Sequence, residues 1–176
     1  MFVKSVLIIV LGVSLMSTAA DAARNVTFSS VCLLEGKQYE NREYVLSALA
    51  QAPAGADLVC LPHLPFLSFR GKQASRDLAP FLAFAKERHC YLAFSLTEQS
   101  EEKTYYTAVL LDRQGKIAGR YRKTHAFPDD KAAISLGDQL PVFDTDFGKL
   151  GLTISTAFYF PEAYQVLSLR GADVIT

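Results

Sequence analysis

The segment GADLVCLPH (residues 55–63) decides the fold class of this 176-residue chain. Its centre, DLVCL, is an almost uninterrupted apolar run of strand length, without the alternation of apolar and polar residues that marks a half-exposed strand. Runs of this kind are typical of strands that are covered on both faces. The segment therefore predicts an α/β protein with a buried strand at residues 57–61.

Helical patterns lie on both sides of this strand, because apolar residues recur there at i, i+3, i+4 and i+7. They are Val45, Ala48, Leu49 and Ala52 before the strand, and Leu78, Phe81, Leu82 and Ala85 after it. We expect the second helix to begin near Asp77, since Pro80 suits a first helical turn. Further patterns predict strands at 26–34, 91–96, 104–111, 116–122, 141–145, 151–155 and 172–176, a polar loop at 97–103 and a helix at 161–170.

The first 22 residues read as a separate unit. Lys4 precedes the apolar run SVLIIVLGVSLM (5–16), and Ala20 and Ala22 follow in the A-x-A arrangement of a cleavage site. This order is typical of a secretory signal peptide. We therefore predict a signal peptide at 1–22, a mature domain at 23–176, and a secreted or periplasmic location. A membrane anchor or a buried N-terminal strand is the alternative interpretation.

Charge and cysteine content exclude several classes of function. The chain has 18 basic and 18 acidic residues, and zero net charge argues against a general nucleic-acid binder. Cys32, Cys60 and Cys90 each lie in or beside an apolar run, which indicates inert, buried thiols. Since an extended strand would direct Cys60 and His63 to opposite faces, we do not expect them to form a couple. No spacing suggests a zinc site, and we expect neither a metal nor a cofactor.

Five segments in one order carry a resemblance to a known family. They are GADLVCLPH, YYTAVLLDRQGKIAGRYRKTHAF (105–127), VFDTDFGKLGLTIS (142–155), FPE (160–162) and GADVIT (171–176). From about residue 26 to residue 176 the chain resembles the nitrilase superfamily of carbon–nitrogen hydrolases. The resemblance implies an α-β-β-α sandwich, here lacking its C-terminal part. It also implies hydrolysis of nitriles or amides by a Cys nucleophile, a Glu base and a Lys that stabilises the oxyanion.

Two of the three catalytic positions implied by the resemblance are substituted in this chain. The lysine is retained as Lys123. The glutamate position, directly after Pro62, holds His63, and the cysteine position, seven residues before Glu162, holds Ser155. A second acid that many members carry after the lysine has no secure counterpart, and the nearby carboxylates of that loop are Asp129 and Asp130.

The substitutions leave three interpretations open. A serine hydroxyl is far less acidic than a thiol, which favours an exported, catalytically impaired member, a pseudoenzyme that still binds a small amide, nitrile or carboxylate ligand. Alternatively, Ser155 and His63 form the pair that many hydrolases use, with Lys123 holding the oxyanion, in an active amide or ester hydrolase. The third interpretation is an exported structural or interaction domain.

Two expectations concern assembly and geometry. ADVIT (172–176) reads as an apolar edge strand, and such edges promote association, so we expect a homo-oligomer or an aggregation-prone chain. Ser155, His63 and Lys123 each lie at or just past the end of a predicted strand, so their side chains are expected to converge within a hydrogen bond or one bridging water. Charge pattern alone predicts that Arg120, Arg122, Lys123 and His125 share one solvated strand face.

Overall fold

The computed structural model describes residues 6–15, 24–33, 41–70, 73–74, 76–128 and 133–176. The larger sheet has the strand order β1-β2-β3-β5-β6-β7, with β4 paired to β3. These strands are β1 (Val6–Leu15), β2 (Arg24–Leu33), β3 (Leu58–Arg70), β4 (Gln73–Ala74), β5 (Tyr91–Ser100), β6 (Lys103–Leu111) and β7 (Ile117–Arg122). The smaller sheet, in the order β10-β9-β8, contains β8 (Val142–Thr145), β9 (Gly148–Gly151) and β10 (Val174–Ile175). The helices are α1 (Arg42–Ala50), α2 (Ala79–Arg88) and α3 (Pro161–Leu169).

Two hydrophobic cores hold the layers together. The first joins α1 and α2 to one face of the larger sheet, where Phe81 and Phe94 pack at a ring-centroid distance of 5.5 Å. The second joins the opposite face to the smaller sheet and α3, through residues such as Leu110, Leu150 and Leu167. The predicted α/β class is therefore confirmed, and the helix–sheet–sheet–helix order of layers follows from these two cores.

The two predicted helices flanking β3 are confirmed by their buried faces. Val45, Ala48 and Leu49 of α1 are all at most 1% exposed, and the side chain of Asn41 caps the helix by accepting a hydrogen bond from the Tyr44 amide. The second helix begins slightly later than predicted, because residues Arg76–Leu78 form a 3₁₀ turn before α2. Pro in the first turn of α2 is consistent with the expected start signal.

The predicted polar loop at 97–103 is wrong. Strand β5 continues to Ser100, and the chain reverses in a tight turn at residues 101–102, where Glu101 has φ of 56°. Burial of Glu98, which is 4% exposed, is possible because Thr107 and Arg122 hydrogen-bond its carboxylate. The strand thus continues through polar residues because Glu98 has hydrogen-bond partners on neighbouring strands. The local sequence does not reveal these partners.

The strand predicted at 151–155 is displaced toward the N-terminus. The observed strand β9 ends at Gly151, and β10 pairs with it in parallel, opposite Leu150 and Gly151. Beyond Gly151, the Thr153 amide donates to the carbonyl of Thr176 at 2.6 Å. Strand β9 pairs antiparallel with β8, from Val142 opposite Gly151 to Thr145 opposite Gly148.

The apolar N-terminal run forms strand β1. It pairs antiparallel with β2 from Val6 opposite Leu33 to Leu15 opposite Arg24, as in the strand alternative to a signal peptide. Ala20 and Ala22 lie outside the described residues, and export stays a prediction. Within the described ranges, no helix combines the length and the apolar character that a membrane crossing requires.

Candidate active site

A bulge in β3 determines where the His63 side chain lies. In the parallel pairing with β5, Cys60 is opposite Ala93 and His63 is opposite Ser95, so β3 has one residue more than β5 between these pairs. A β-bulge of this kind reverses the side-chain alternation. The expectation that Cys60 and His63 point to opposite faces is therefore wrong. Because of the extra residue, the His63 side chain lies on the same face of the sheet as the side chains of Cys60 and Ser95.

The His63 imidazole lies between a hydroxyl and an aromatic ring. Its Nδ1 is 3.1 Å from Ser95 Oγ, and its ring centroid is 4.7 Å from that of Tyr106. Burial, together with the positive charge of Lys123, lowers the pKa of His63 to about 4. His63 is therefore a neutral imidazole at neutral pH, with Nδ1 engaged by Ser95.

Lys123 is the first residue after β7 and is 1% exposed. Its amide donates to the Tyr106 carbonyl at 2.8 Å, and its carbonyl accepts from the Gly137 amide at 2.9 Å. The ammonium nitrogen is 5.9 Å from the centroid of the Tyr106 ring, the same ring that packs against His63. The structure thus brings Lys123 and His63 together against Tyr106.

Ser155 occupies a strained turn on the smaller-sheet side. It is exposed, begins the 3₁₀ turn Ser155–Tyr159, and has φ of 47°. A non-glycine residue with positive φ is uncommon and marks a constrained backbone. Among the described residues, no hydrogen bond joins the Ser155 hydroxyl to His63 or Lys123. Convergence of all three side chains therefore stays a prediction for Ser155.

Electrostatics at this site oppose general-base catalysis by His63. A serine hydrolase histidine becomes positively charged as it accepts the hydroxyl proton, and a neighbouring carboxylate normally stabilises that imidazolium. Here the Nδ1 partner is the neutral Ser95 hydroxyl, and the nearby charge is the cation of Lys123. Both features favour the neutral ring.

Ser95 and Tyr106 are site residues that the sequence analysis missed. Ser95 lies in the apolar run of β5 and is 8% exposed, while Tyr106 lies opposite Thr97 in β6. Their side chains meet His63 only because of the register of three strands. A single polar residue inside the run YLAFSL (91–96) is the one signal that could have indicated Ser95.

Aromatic side chains follow Ser155 on the exposed side of the turn. Phe158 and Tyr159 are each 60% exposed, with ring centroids 4.0 Å apart, and Phe127 lies 5.3 Å from Tyr159. His125 stacks near Phe160 at 5.2 Å, and its Nδ1 is 2.8 Å from the Thr124 hydroxyl. The region beside Ser155 is therefore an open aromatic surface.

Two of the three cysteines, Cys60 and Cys90, are poor candidates for a nucleophile. All three are free thiols, and burial raises the pKa of Cys60 to about 12 and that of Cys90 to about 11. Such thiols are protonated at neutral pH and unreactive. The parts of the chain that the structure describes contain no group of three or more potential metal-ligating side chains. The acids Asp129 and Asp130 lie outside those parts.

Sequence comparisons relate the chain to enzymes that act on carbon–nitrogen bonds. The carbon–nitrogen hydrolase profile matches residues 16–176. The chain is 30% identical over 152 residues to a nitrilase of Pyrococcus abyssi, which covers 79% of this chain and 57% of the relative. It is 32% identical over 156 residues to a citrullinase of Francisella tularensis subsp. tularensis, and this match covers 77% of this chain and 54% of the citrullinase. The chain spans a little over half the length of these two relatives.

Solved structures agree with this relationship. Saccharomyces cerevisiae Nit3, a member of branch 10 of the nitrilase superfamily, matches with a TM-score of 0.69 at 21% identity, covering 80% of this chain and 58% of Nit3. A variant of the amidase from Nesterenkonia sp. AN1, solved with butyramide, matches with a TM-score of 0.64 at 27% identity, covering 77% and 57%. Another variant of that amidase carries acrylamide added to its active-site cysteine.

Proposed function

This chain belongs to the carbon–nitrogen hydrolase family, and from that membership we propose that it is an exported, catalytically impaired member that binds a small ligand at Lys123. The observation that carries the proposal is the environment of His63, whose pKa of about 4 and cationic neighbour suit a neutral ring. A general base works best with a pKa near the operating pH. His63 therefore makes a poor partner for a serine hydroxyl.

Ligand binding is supported by the groups that remain. The Lys123 ammonium has three N–H donors and can share them between contacts within the protein and a ligand oxygen. The neighbouring neutral His63 adds a polar group without adding negative charge. A family member with glutamate at the His63 position would carry an anion there. The substitution thus favours a carboxylate or a carbonyl oxygen as the ligand group, and amides, nitriles and their carboxylate products are the candidate ligands.

A second candidate function is an active hydrolase that uses Ser155 with His63. It is favoured by the φ of 47° at Ser155, because nucleophiles are often presented on strained turns. The first candidate is preferred because no described carboxylate contacts the His63 ring. The third, an exported structural or interaction domain, differs from both in having no ligand at Lys123.

A serine-directed phosphonate separates the first two candidates. We expect that a fluorophosphonate leaves no adduct at Ser155 by mass spectrometry, and that amides and nitriles are not turned over. A matched His63→Glu, Ser155→Cys double variant restores the family's residue types and serves as the comparison for turnover. Stoichiometric labelling at Ser155 that is lost in His63→Ala would replace the impaired-member proposal with the active hydrolase.

Export is the second component of the proposal and is supported by the order of Lys4, the apolar run and the Ala20-x-Ala22 site. We expect the chain recovered from the secreted or periplasmic fraction to begin near Ala23, as read by mass spectrometry of its N-terminal peptide. Recovery of the chain from the cytosol with Met1 to Leu15 intact would contradict export.

A further inference from the structure

A cavity of about 520 Å³ lies at the β7 edge of the larger sheet. Its lining includes Glu98, Arg120, Arg122, Asp138, Gln139 and Pro141. Arg120 and Arg122 pair with Val109 and Thr107 across the sheet, and Val109 belongs to the core beneath α1 and α2. The cavity therefore opens on the helix-covered face, whereas His63 and Lys123 lie toward the smaller sheet. Its volume is in the range of small-molecule sites.

Arg120 is held against an aromatic ring inside this cavity. Its guanidinium carbon is 3.9 Å from the ring centroid of Phe69, which is fully buried. Within the described chain, the Arg120 guanidinium forms no hydrogen bond and no ion pair. Stacking fixes the plane of a guanidinium and leaves its N–H edge available. The expected single solvated face for Arg120, Arg122, Lys123 and His125 is therefore wrong, since Arg120 stacks on Phe69 and Lys123 is buried on the other side of the sheet.

The wall beside Arg120 is fixed by a buried acid. Glu98 accepts hydrogen bonds from the Thr107 hydroxyl at 2.6 Å and from Arg122 Nη2 at 2.7 Å, and Arg122 stacks on Tyr105 at 4.1 Å. Burial acts to raise the pKa of Glu98, but the hydrogen bonds from Arg122 and Thr107 hold it below its ordinary value. Glu98 and Arg122 are thus paired with each other, while Arg120 acts on Glu98 only through its charge. Arg120 and Asp138 are the other charged side chains of the lining.

The charges around the cavity limit the kind of anion that fits. Glu98 and Asp138 both line it, and two carboxylates disfavour a doubly charged phosphate. A single carboxylate matches the fork of N–H donors on Arg120. The Pro141 surface in the lining suits an apolar body.

We propose that this cavity binds a small organic monocarboxylate with an apolar body, whose carboxylate pairs with the guanidinium of Arg120. The site is separate from the ligand site proposed at Lys123, because it lies on the opposite face of the same sheet. Binding here requires no catalytic residue and does not depend on the activity of the chain.

The test compares two matched probes on the full 176-residue chain by fluorine NMR. 4-Fluorophenylacetate carries the carboxylate, and 4-fluorophenylacetamide replaces it with a neutral amide of the same shape. We expect saturable binding of the acid, at least about tenfold weaker binding of the amide, and at least about tenfold weaker binding of the acid to Arg120→Gln. Arg88→Gln is the control, since Arg88 stacks near Phe84 outside the cavity, and it should bind the acid unchanged.

Several results would overturn the proposal. They are an absence of saturable binding, equal binding of acid and amide, inorganic phosphate competing as strongly as the acid, and loss of binding in Lys123→Met with retention in Arg120→Gln. The last result would instead support the ligand site at Lys123, so the two proposals fail distinguishably. If Arg120→Gln does not fold, Arg120→Lys, which keeps the charge but loses the paired donors, should bind the acid several-fold more weakly.

Discussion

Two regions of the larger sheet differ in the charged neighbours of their basic side chains. At the end where β3 begins, Arg113 donates to Asp57 at 2.7 Å and to Asp146 at 2.6 and 2.9 Å, and to the His89 carbonyl. At the other end, His63 and Lys123 are two basic groups beside one tyrosine ring. The first end joins a cation to anions, and the second brings like groups together.

The pKa shifts follow this difference. Burial lowers the pKa of Arg113, but its hydrogen bonds with Asp146 and Asp57 more than offset that effect and raise it. At His63, burial and the Lys123 charge act in the same direction and lower the pKa. Arg113 joins the β6–β7 turn to the β8–β9 turn, and so links the two sheets. Arg113 thus has oppositely charged partners that link the two sheets, whereas His63 has a cationic neighbour that disfavours its protonation.

The largest effect is expected on removal of the structural charge. Arg113→Gln takes away the cation that Asp57 and Asp146 share, and breaking a buried ion pair typically costs about 3 to 5 kcal/mol. Because Asp146 is partly exposed, we expect a value near about 3 kcal/mol, measured as the free energy of unfolding in urea at pH 7.

Arg88→Gln is the matched control for this change. Arg88 is an exposed arginine that donates to the Ala50 carbonyl at 2.9 Å, and its loss should cost less than about 1 kcal/mol. Equal destabilisation by the two substitutions would show that the Arg113 network stabilises the fold no more than a surface contact does. The claim that Arg113 is a structural link between the two sheets would then be wrong.

Much of the fold could be predicted from local sequence. The faces of α1 and α2 were evident from apolar spacing. The positions of β5, β6 and β7 were evident from strand-like runs. The extension of β5 was not evident, because Glu98 becomes compatible with a buried strand only through Arg122 and Thr107, which lie 24 and 9 residues away. Long-range partners of this kind override local propensity.

The candidate site was predictable only in part. Lys123, His63 and Ser155 could be named from the family resemblance and not from periodicity or spacing. The direction of the His63 side chain depends on the bulge between Cys60 and His63. Pro62 is a local signal for an irregular strand, but it does not tell which face His63 takes, and the partner Ser95 is one hydroxyl within an apolar run. The charged neighbour of His63 is Lys123, and the two residues come together only in the folded chain.

The most direct test of the account is the pKa of His63, measured by NMR titration of the histidine side chains. The chain has three histidines, and the signal absent from His63→Gln identifies this one. Ring nitrogen shifts in the same spectra report the tautomer, and Ser95→Ala should alter it. Removing the cation in Lys123→Met should raise the pKa.

His63 should titrate near pH 4 and be neutral above pH 5. The group then lacks the basicity to activate Ser155, and the charges at this end of the sheet act against catalysis. A midpoint at or above the ordinary histidine value of about 6.5, unchanged by Lys123→Met, would contradict the account and restore His63 as a competent general base.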